Sequence, residues 1–262
     1  MSALLACRGV TVRFGGLTAL DGLDLEVGRG QILGLIGPNG SGKTTLFNAV
    51  TGIYGIASGE IVLDGRDISK FSPQNIYRAG IARTFQRSRL CLPLTVFDNI
   101  MIGNHQRLDN GLWFNLFRRG RLRSQFEENF AKARLLVKTF NANLAERLFS
   151  AAGALGMIDR RRVEICRALV SEPKLLLLDE PSAGMTREET RELMDDILLA
   201  RDRIRGLTII IIEHEMSVIE RITEHCAVLN YGKKICEGAF REVAADLRVQ
   251  EAYLGQAVSG TG

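Results

Sequence analysis

The run Gly37-Pro38-Asn39-Gly40-Ser41-Gly42-Lys43-Thr44-Thr45 has the composition of an anion cradle. Its glycines let the backbone curl until several N–H groups face one anion, and a helix behind it adds the positive end of its dipole. Gly37, Gly42, Lys43 and Thr44 fit the phosphate-gripping pattern, in which the lysine reaches the β- and γ-phosphates and the threonine hydroxyl holds Mg²⁺. The apolar run Gln31–Ile36 precedes the loop and the helix-compatible run Thr44–Val50 follows it, which is the context the pattern needs. ATP and Mg²⁺ are the expected ligands. Further on, Leu175–Leu178 leads into Asp179-Glu180. A buried strand that delivers an acid at its carboxyl end puts it where a nucleotide's metal sits. Asp179 is expected on the metal, and Glu180, pointing elsewhere, as the general base that polarises the attacking water. His214 follows a second apolar run, Thr208–Ile212. A lone histidine is usually structural, but after the strand that succeeds Asp179-Glu180 it is well located for the γ-phosphate.

The elements that carry these groups read as alternating strands and helices. Early β-like segments are Val10–Phe14, Leu23–Val27, Gln31–Ile36 and Gly59–Asp64, with Gly28-Arg29-Gly30 as a turn. Ser72-Pro73 is an N-cap followed by proline at the first helical position, opening a helix towards Ala79. From about 95 to 145 the pattern is helical; Thr95 to Asp98 resembles a capping start, and Leu135, Leu136 and Phe140 suggest a buried face. Then come helix 160–170, strand 174–179, helix 187–203, strand 207–212, helix 215–224, strand 226–230 and a short helix over Arg248–Leu254. Continuous apolar strands alternating with helices imply an α/β fold with a parallel sheet covered on both faces.

Bulk properties narrow the class. A chain of 262 residues suits one large α/β domain or two small ones. A net charge of +4 is too mild to imply nucleic acid. No apolar run approaches the ~20 residues of a membrane span, and Met1 to Leu5 shows no secretory signal. A membrane role would therefore mean docking on other chains. The basic cluster Arg118 to Arg123 reads as a solvated loop, or as a contact for lipid headgroups or a partner. Cys7, Cys91, Cys166, Cys226 and Cys236 share no metal-type spacing and read as small buried residues in a reducing compartment.

In this order the motifs resemble the ATP-binding cassette (ABC) family over nearly the whole chain. The resemblance implies a P-loop ATPase fold with an antiparallel β subdomain and an α-helical subdomain, the core at 1–94 and 160–262 and the helical part at 95–159. It makes Gln86 of Thr84-Phe85-Gln86 a metal-sensing residue beside the groove where a membrane subunit docks. Phe14 falls where the family stacks an aromatic under adenine, although alternation with Val10 and Val12 is equally a core pattern. Ser182 to Thr186 falls on the loop that crosses the dimer interface, and Thr186 to Glu189 also reads as a capping box. Arg13-Phe14-Gly15-Gly16, Arg83 to Gln86, His105-Gln106 to Gly111-Leu112, Ile212 to Met216 and Ala252-Tyr253-Leu254-Gly255 look like importer ATPases for branched-chain amino acids. That likeness implies a sister ATPase in a heterodimer or homodimer, two permeases, a periplasmic binding protein, and a peripheral place on the cytoplasmic face of the inner membrane. Lipopolysaccharide-export ATPases share the fold and the Tyr-Leu-Gly ending, and export is the lesser alternative.

One motif departs from the family. Its signature reads Leu-Ser-Gly-Gly-Gln, whereas ungapped spacing from Asp179 places Leu155-Gly156-Met157-Ile158-Asp159 there. Gly156 lacks the hydroxyl that would donate to a partner's γ-phosphate, Ile158 would be strained at positive φ, and Asp159 adds charge while able to cap a helix. Phe149 to Gly153 breaks the spacing and is discounted. The expectation is one defective composite site; the alternative is a nucleotide-binding subunit with little turnover.

Overall fold

The computed structural model describes residues 3–86, 90–105 and 119–259. They form two compact units. The first comprises Met1–Arg83, Lys174–Pro181 and Ile204–Gly262, and the second Thr84–Pro173 and Ser182–Arg203.

The first unit holds two sheets. Strands β1 (Ala3–Phe14), β2 (Leu17–Gly28), β4 (Ser58–Leu63) and β5 (Arg66–Asp67) form an antiparallel sheet in the order β2-β1-β4-β5. Its alternation is visible in β2, where Leu23, Leu25 and Val27 are buried and Asp24 and Glu26 exposed. The second sheet runs β10 (Lys233–Gly238), β9 (His225–Asn230), β3 (Ile32–Ile36), β8 (Thr208–Ile212), β7 (Leu175–Asp179), β6 (Ile81–Arg83). Strands β9 to β6 in that order are parallel, and β10 pairs antiparallel at the edge. Strands β3, β7 and β8 are buried at every residue, which is why they read as unbroken apolar runs. Helices α1 (Lys43–Val50) and α2 (Pro73–Ala79) belong to this unit. Ser72 caps α2 as expected, its hydroxyl accepting from Asn75 N–H.

The second unit is helical: α3 (Val96–Ile102), α4 (Arg119–Phe140), α5 (Ala142–Ala145), α6 (Met157–Leu169) and α7 (Arg187–Arg203). Thr95 and Asp98 close a reciprocal capping box on α3, and Thr186 and Glu189 do the same for α7. Helix α3 approaches α6 so closely that a Cβ on Gly103 would stand 1.9 Å from Arg167 O. Helices α8 (Met216–Ile222), α9 (Phe240–Ala245) and α10 (Leu247–Ser259) complete the first unit, α10 running past the expected Leu254.

Three sequence expectations need correction. Leu135 is 71% exposed; the buried face of α4 carries Ala133, Val137 and Phe140. Leu135 sits two residues from Val137, about 200° around the helix, so its phase is wrong. Arg119 to Arg123 open α4 and do not form a loop, while Arg118 lies outside the described residues. Cys91 is exposed and Cys236 half-buried, unlike buried Cys7, Cys166 and Cys226. Asn99 holds the Cys91 backbone, accepting from its N–H at 2.8 Å and donating to its carbonyl at 3.0 Å. The segment from Gln106 to Leu112 lies outside the described residues.

Candidate nucleotide site

Parallel register brings the candidate residues to one level. Leu35 of β3 and Asp179 of β7 both stand opposite Ile212 of β8, so the three strands end together. The chain leaves β3 into the loop from Gly37, β7 into Glu180 and β8 into Glu213-His214. Crevices at the carboxyl ends of parallel strands are where this class of sheet binds ligands.

The loop is shaped for an anion. Gly37, Gly40 and Gly42 have φ of 143°, 78° and 108°, conformations closed to other residues without strain. Gly42 caps α1 without a side-chain bond, leaving the first-turn N–H groups of Lys43, Thr44 and Thr45 for an outside acceptor. Ser41 Oγ is buried and has no hydrogen-bond partner. The buried Lys43 ammonium donates to the carbonyls of Gly37 at 2.7 Å and Pro38 at 3.0 Å. Burial lowers its pKa, against the opposing pull of Glu180 and Asp179. An orphaned hydroxyl, an ammonium folded onto loop carbonyls and free helix amides all fit phosphate oxygens. Thr44 is exposed at the start of α1.

At the end of β7 the two acids part. Asp179 is buried and accepts from Arg83 Nη2 at 2.6 Å; Arg83 Nη1 donates to Asn48 Oδ1 at 2.6 Å. Glu180 takes φ of 47°, a left-handed conformation uncommon for a side-chain-bearing residue. Its N–H donates to Ile212 O at 3.0 Å, and its Oε1 lies 2.6 Å from Nε2 of His214. Glu180 and His214 are thus brought together. Among the described residues no group of three or more His, Cys, Asp or Glu side chains could hold a metal. An ion at Asp179 would need phosphate oxygens and water to complete its shell, which is how Mg²⁺ is usually held.

Phe14 is 44% exposed and meets Tyr54 edge-on at 4.9 Å, so the core alternative for it fails. Gln86, in the second unit, is exposed. In that unit Leu155 is buried, Gly156 is the N-cap of α6 at φ −65°, ψ 169°, and Met157 is 51% exposed. Ile158 lies in the first turn of α6 and is not among the positive-φ residues, so the expected strain does not arise. Asp159 makes no cap; its carboxylate accepts from Arg162 at 2.9 Å, and Arg162 also binds Glu192 and Asp196.

Two contacts are not legible in the sequence as site features. Arg83 stands there only as part of a motif, and Tyr253 only as part of an ending. Arg83 is 96 residues from Asp179, and Tyr253, whose Oη accepts from Gly37 N–H at 2.9 Å, is 216 residues from Gly37.

A strand–loop–helix cradle with an acid pair and a histidine at the neighbouring strand ends defines a nucleotide-hydrolysing P-loop protein. The model of the ABC transporter family matches residues 20–183, and that of the branched-chain amino acid ATP-binding cassette transporter matches 233–259. The chain belongs to the ABC transporter family, as an ATPase whose hydrolysis is coupled to transport through membrane permease subunits. It is 38% identical to the high-affinity branched-chain amino acid transport ATP-binding protein LivG of Salmonella typhimurium, over 97% of this chain and 98% of the relative. Identity to BraF of Pseudomonas aeruginosa, another high-affinity branched-chain amino acid transport ATP-binding protein, is 36% with the same coverage. A crystal structure of a nucleotide-free ATP-binding cassette from an ABC transporter superposes with a TM-score of 0.82 at 30% identity, over 96% of this chain and 99% of that one. Among the described residues no helix is long and apolar enough to cross a membrane.

Proposed function

We propose that this chain powers an importer for branched-chain amino acids from the cytoplasmic face of the membrane. The observation that carries the hydrolytic part is the Glu180–His214 pair, 2.6 Å apart beside Asp179 and next to the phosphate loop. The cargo rests on the names of the relatives, since this subunit has no contact with it. Lys43, Ser41 and the amides from Gly37 to Thr45 hold the phosphates, and Phe14 stacks on the adenine ring. Thr44 and Asp179 would hold Mg²⁺, which would supply charge neutralisation on the phosphates, and Gln86 is the residue we assign to sensing that ion. Glu180 accepts a proton from the attacking water, and His214 orients that carboxylate and contacts the γ-phosphate.

The working assembly is two ATPases, this chain and a sister, under two permeases fed by a periplasmic binding protein. Residues 95–159, part of the second unit, carry the signature segment, and Ser182 to Thr186 of the same unit crosses the dimer interface. Gly156 lends the partner's phosphate loop no hydroxyl, a loss of about 1.5–3 kcal/mol for a hydrogen bond to a charged group. One composite site is therefore weak, and the other, built on Lys43, Asp179, Glu180 and His214, carries turnover. A subunit with little turnover is the second reading, favoured by Gly156 capping α6 without a side chain.

The test is leucine uptake and ATP turnover by the whole complex in proteoliposomes. Glu180→Gln is expected to lower turnover at least about 100-fold while ATP still binds. Wild-type turnover in that variant removes Glu180 as the base. Uptake of no branched-chain amino acid removes the cargo assignment.

A further inference from the structure

The last helix of the chain reaches back to the first residue of the phosphate loop. Tyr253, half-buried on α10, accepts a hydrogen bond from the N–H of Gly37 at 2.9 Å. Gly37 admits no side chain. Its φ is 143°, and a Cβ there would stand 2.1 Å from Leu229 O and 2.8 Å from Ser41 Oγ. Its amide leaves the sheet where β3 ends, so without the phenol it would lose the acceptor that fixes the start of the curl.

Helix α10 is itself held for this contact. Its entry is closed by Asp246, which accepts from the Arg248 backbone N–H at 2.8 Å and from the Arg248 guanidinium at 2.6 Å. Val249 is buried one turn before Tyr253. Pro38, Gly40 and Ser41 line a cavity of about 360 Å³ together with Arg248 and Glu251 of α10. Burial raises the Tyr253 phenol above its ordinary value, against the opposing Gly37 bond, so the group stays a neutral hydroxyl. This helix lies within the segment matched by the branched-chain subfamily model.

We propose that Tyr253 is a positioning residue for nucleotide binding: through its phenol, α10 holds the Gly37 amide and with it the curl of the phosphate loop. The proposal rests on the reading that this loop grips the nucleotide's phosphates. Removing one hydroxyl leaves the loop's own residues intact but releases its first amide. The loss falls on binding the nucleotide in its ground and transition states alike, so KM changes and kcat does not.

The experiment uses the full chain with Tyr253→Phe and, separately, Lys43→Ala. MgATP affinity is measured by calorimetry, KM and kcat by phosphate release from the chain assembled with its sister ATPase and permeases, and deuterium uptake in the peptide containing Gly37 by mass spectrometry. Tyr253→Phe is expected to weaken MgATP binding and raise KM about tenfold, to speed exchange at the loop by a similar factor, and to leave kcat within about twofold. Lys43→Ala is expected to lose binding. Affinity and loop exchange within twofold of wild type in Tyr253→Phe, with binding lost in Lys43→Ala, overturn the proposal alone. A lower melting temperature with unchanged affinity does the same, making Tyr253 a packing residue. Wild-type binding in Lys43→Ala overturns the phosphate-loop reading and this inference with it.

Discussion

Replacing Arg83 by methionine should destabilise the protein strongly, because it strips a buried carboxylate of a cation. The Arg83 and Asp179 side chains are 6% and 4% exposed, and they meet at 2.6 Å. The same guanidinium donates to Asn48 and stands 5.3 Å from the centre of the Phe47 ring. Methionine keeps apolar contact with that ring but takes the cation away from a buried carboxylate. Removing one partner of a buried pair costs about 3–5 kcal/mol, because the remaining charge has been taken out of water. At roughly 2–4 °C per kcal/mol for a chain of this size, the melting temperature falls by about 6–20 °C. Thermal and urea unfolding followed by circular dichroism, without nucleotide, read the loss directly. In an Asp179→Asn background the same change should be nearly neutral, since the carboxylate's charge is gone. The difference between the two backgrounds is the coupling of the pair. A loss below about 1 kcal/mol, or an equal loss in both backgrounds, refutes the reasoning.

Gly156 has extended N-cap dihedrals, and a Cβ added there would meet nothing within 4 Å, so Gly156→Ser should fit without strain. Its stability should change by only a few tenths of a kcal/mol in a thermal melt, while ATP turnover of the mixed dimer rises, further so with Ile158→Gly. No gain in turnover refutes the degenerate-signature proposal. Alkylation of the native protein at pH 8 should label exposed Cys91 first, with sites read by mass spectrometry. Burial pushes the Cys7 thiol up to about 12, reinforced by Asp24, so Cys7 should react only on unfolding. Equal rates for Cys7 and Cys91 would contradict the burial assigned to the first sheet.

What the chain's sequence determined by itself is local or periodic. The phosphate loop is specified by glycines a few residues apart, because only they accept the φ values that curl it. The Ser72-Pro73 cap and the Thr95–Asp98 box are closed by side chains three residues from their backbone partners, which is why they could be read directly. Strands β7 and β8 announce themselves because burial on both faces demands unbroken apolar runs. What needed the tertiary structure is pairing across distance and phase. Parallel register, not spacing, sets Asp179 opposite Ile212 and brings Arg83 to it. A left-handed Glu180 turns its carboxylate to His214, although nothing in a Leu-Asp-Glu run specifies that φ. Helix α4 buries Val137 and exposes Leu135 because the packing of its neighbours selects the face, and both leucine and valine are apolar. Ile158 escapes strain because α6 already begins at Met157. Tyr253 meets Gly37 only once helix α10 has folded back on the phosphate loop, a contact that no local pattern encodes.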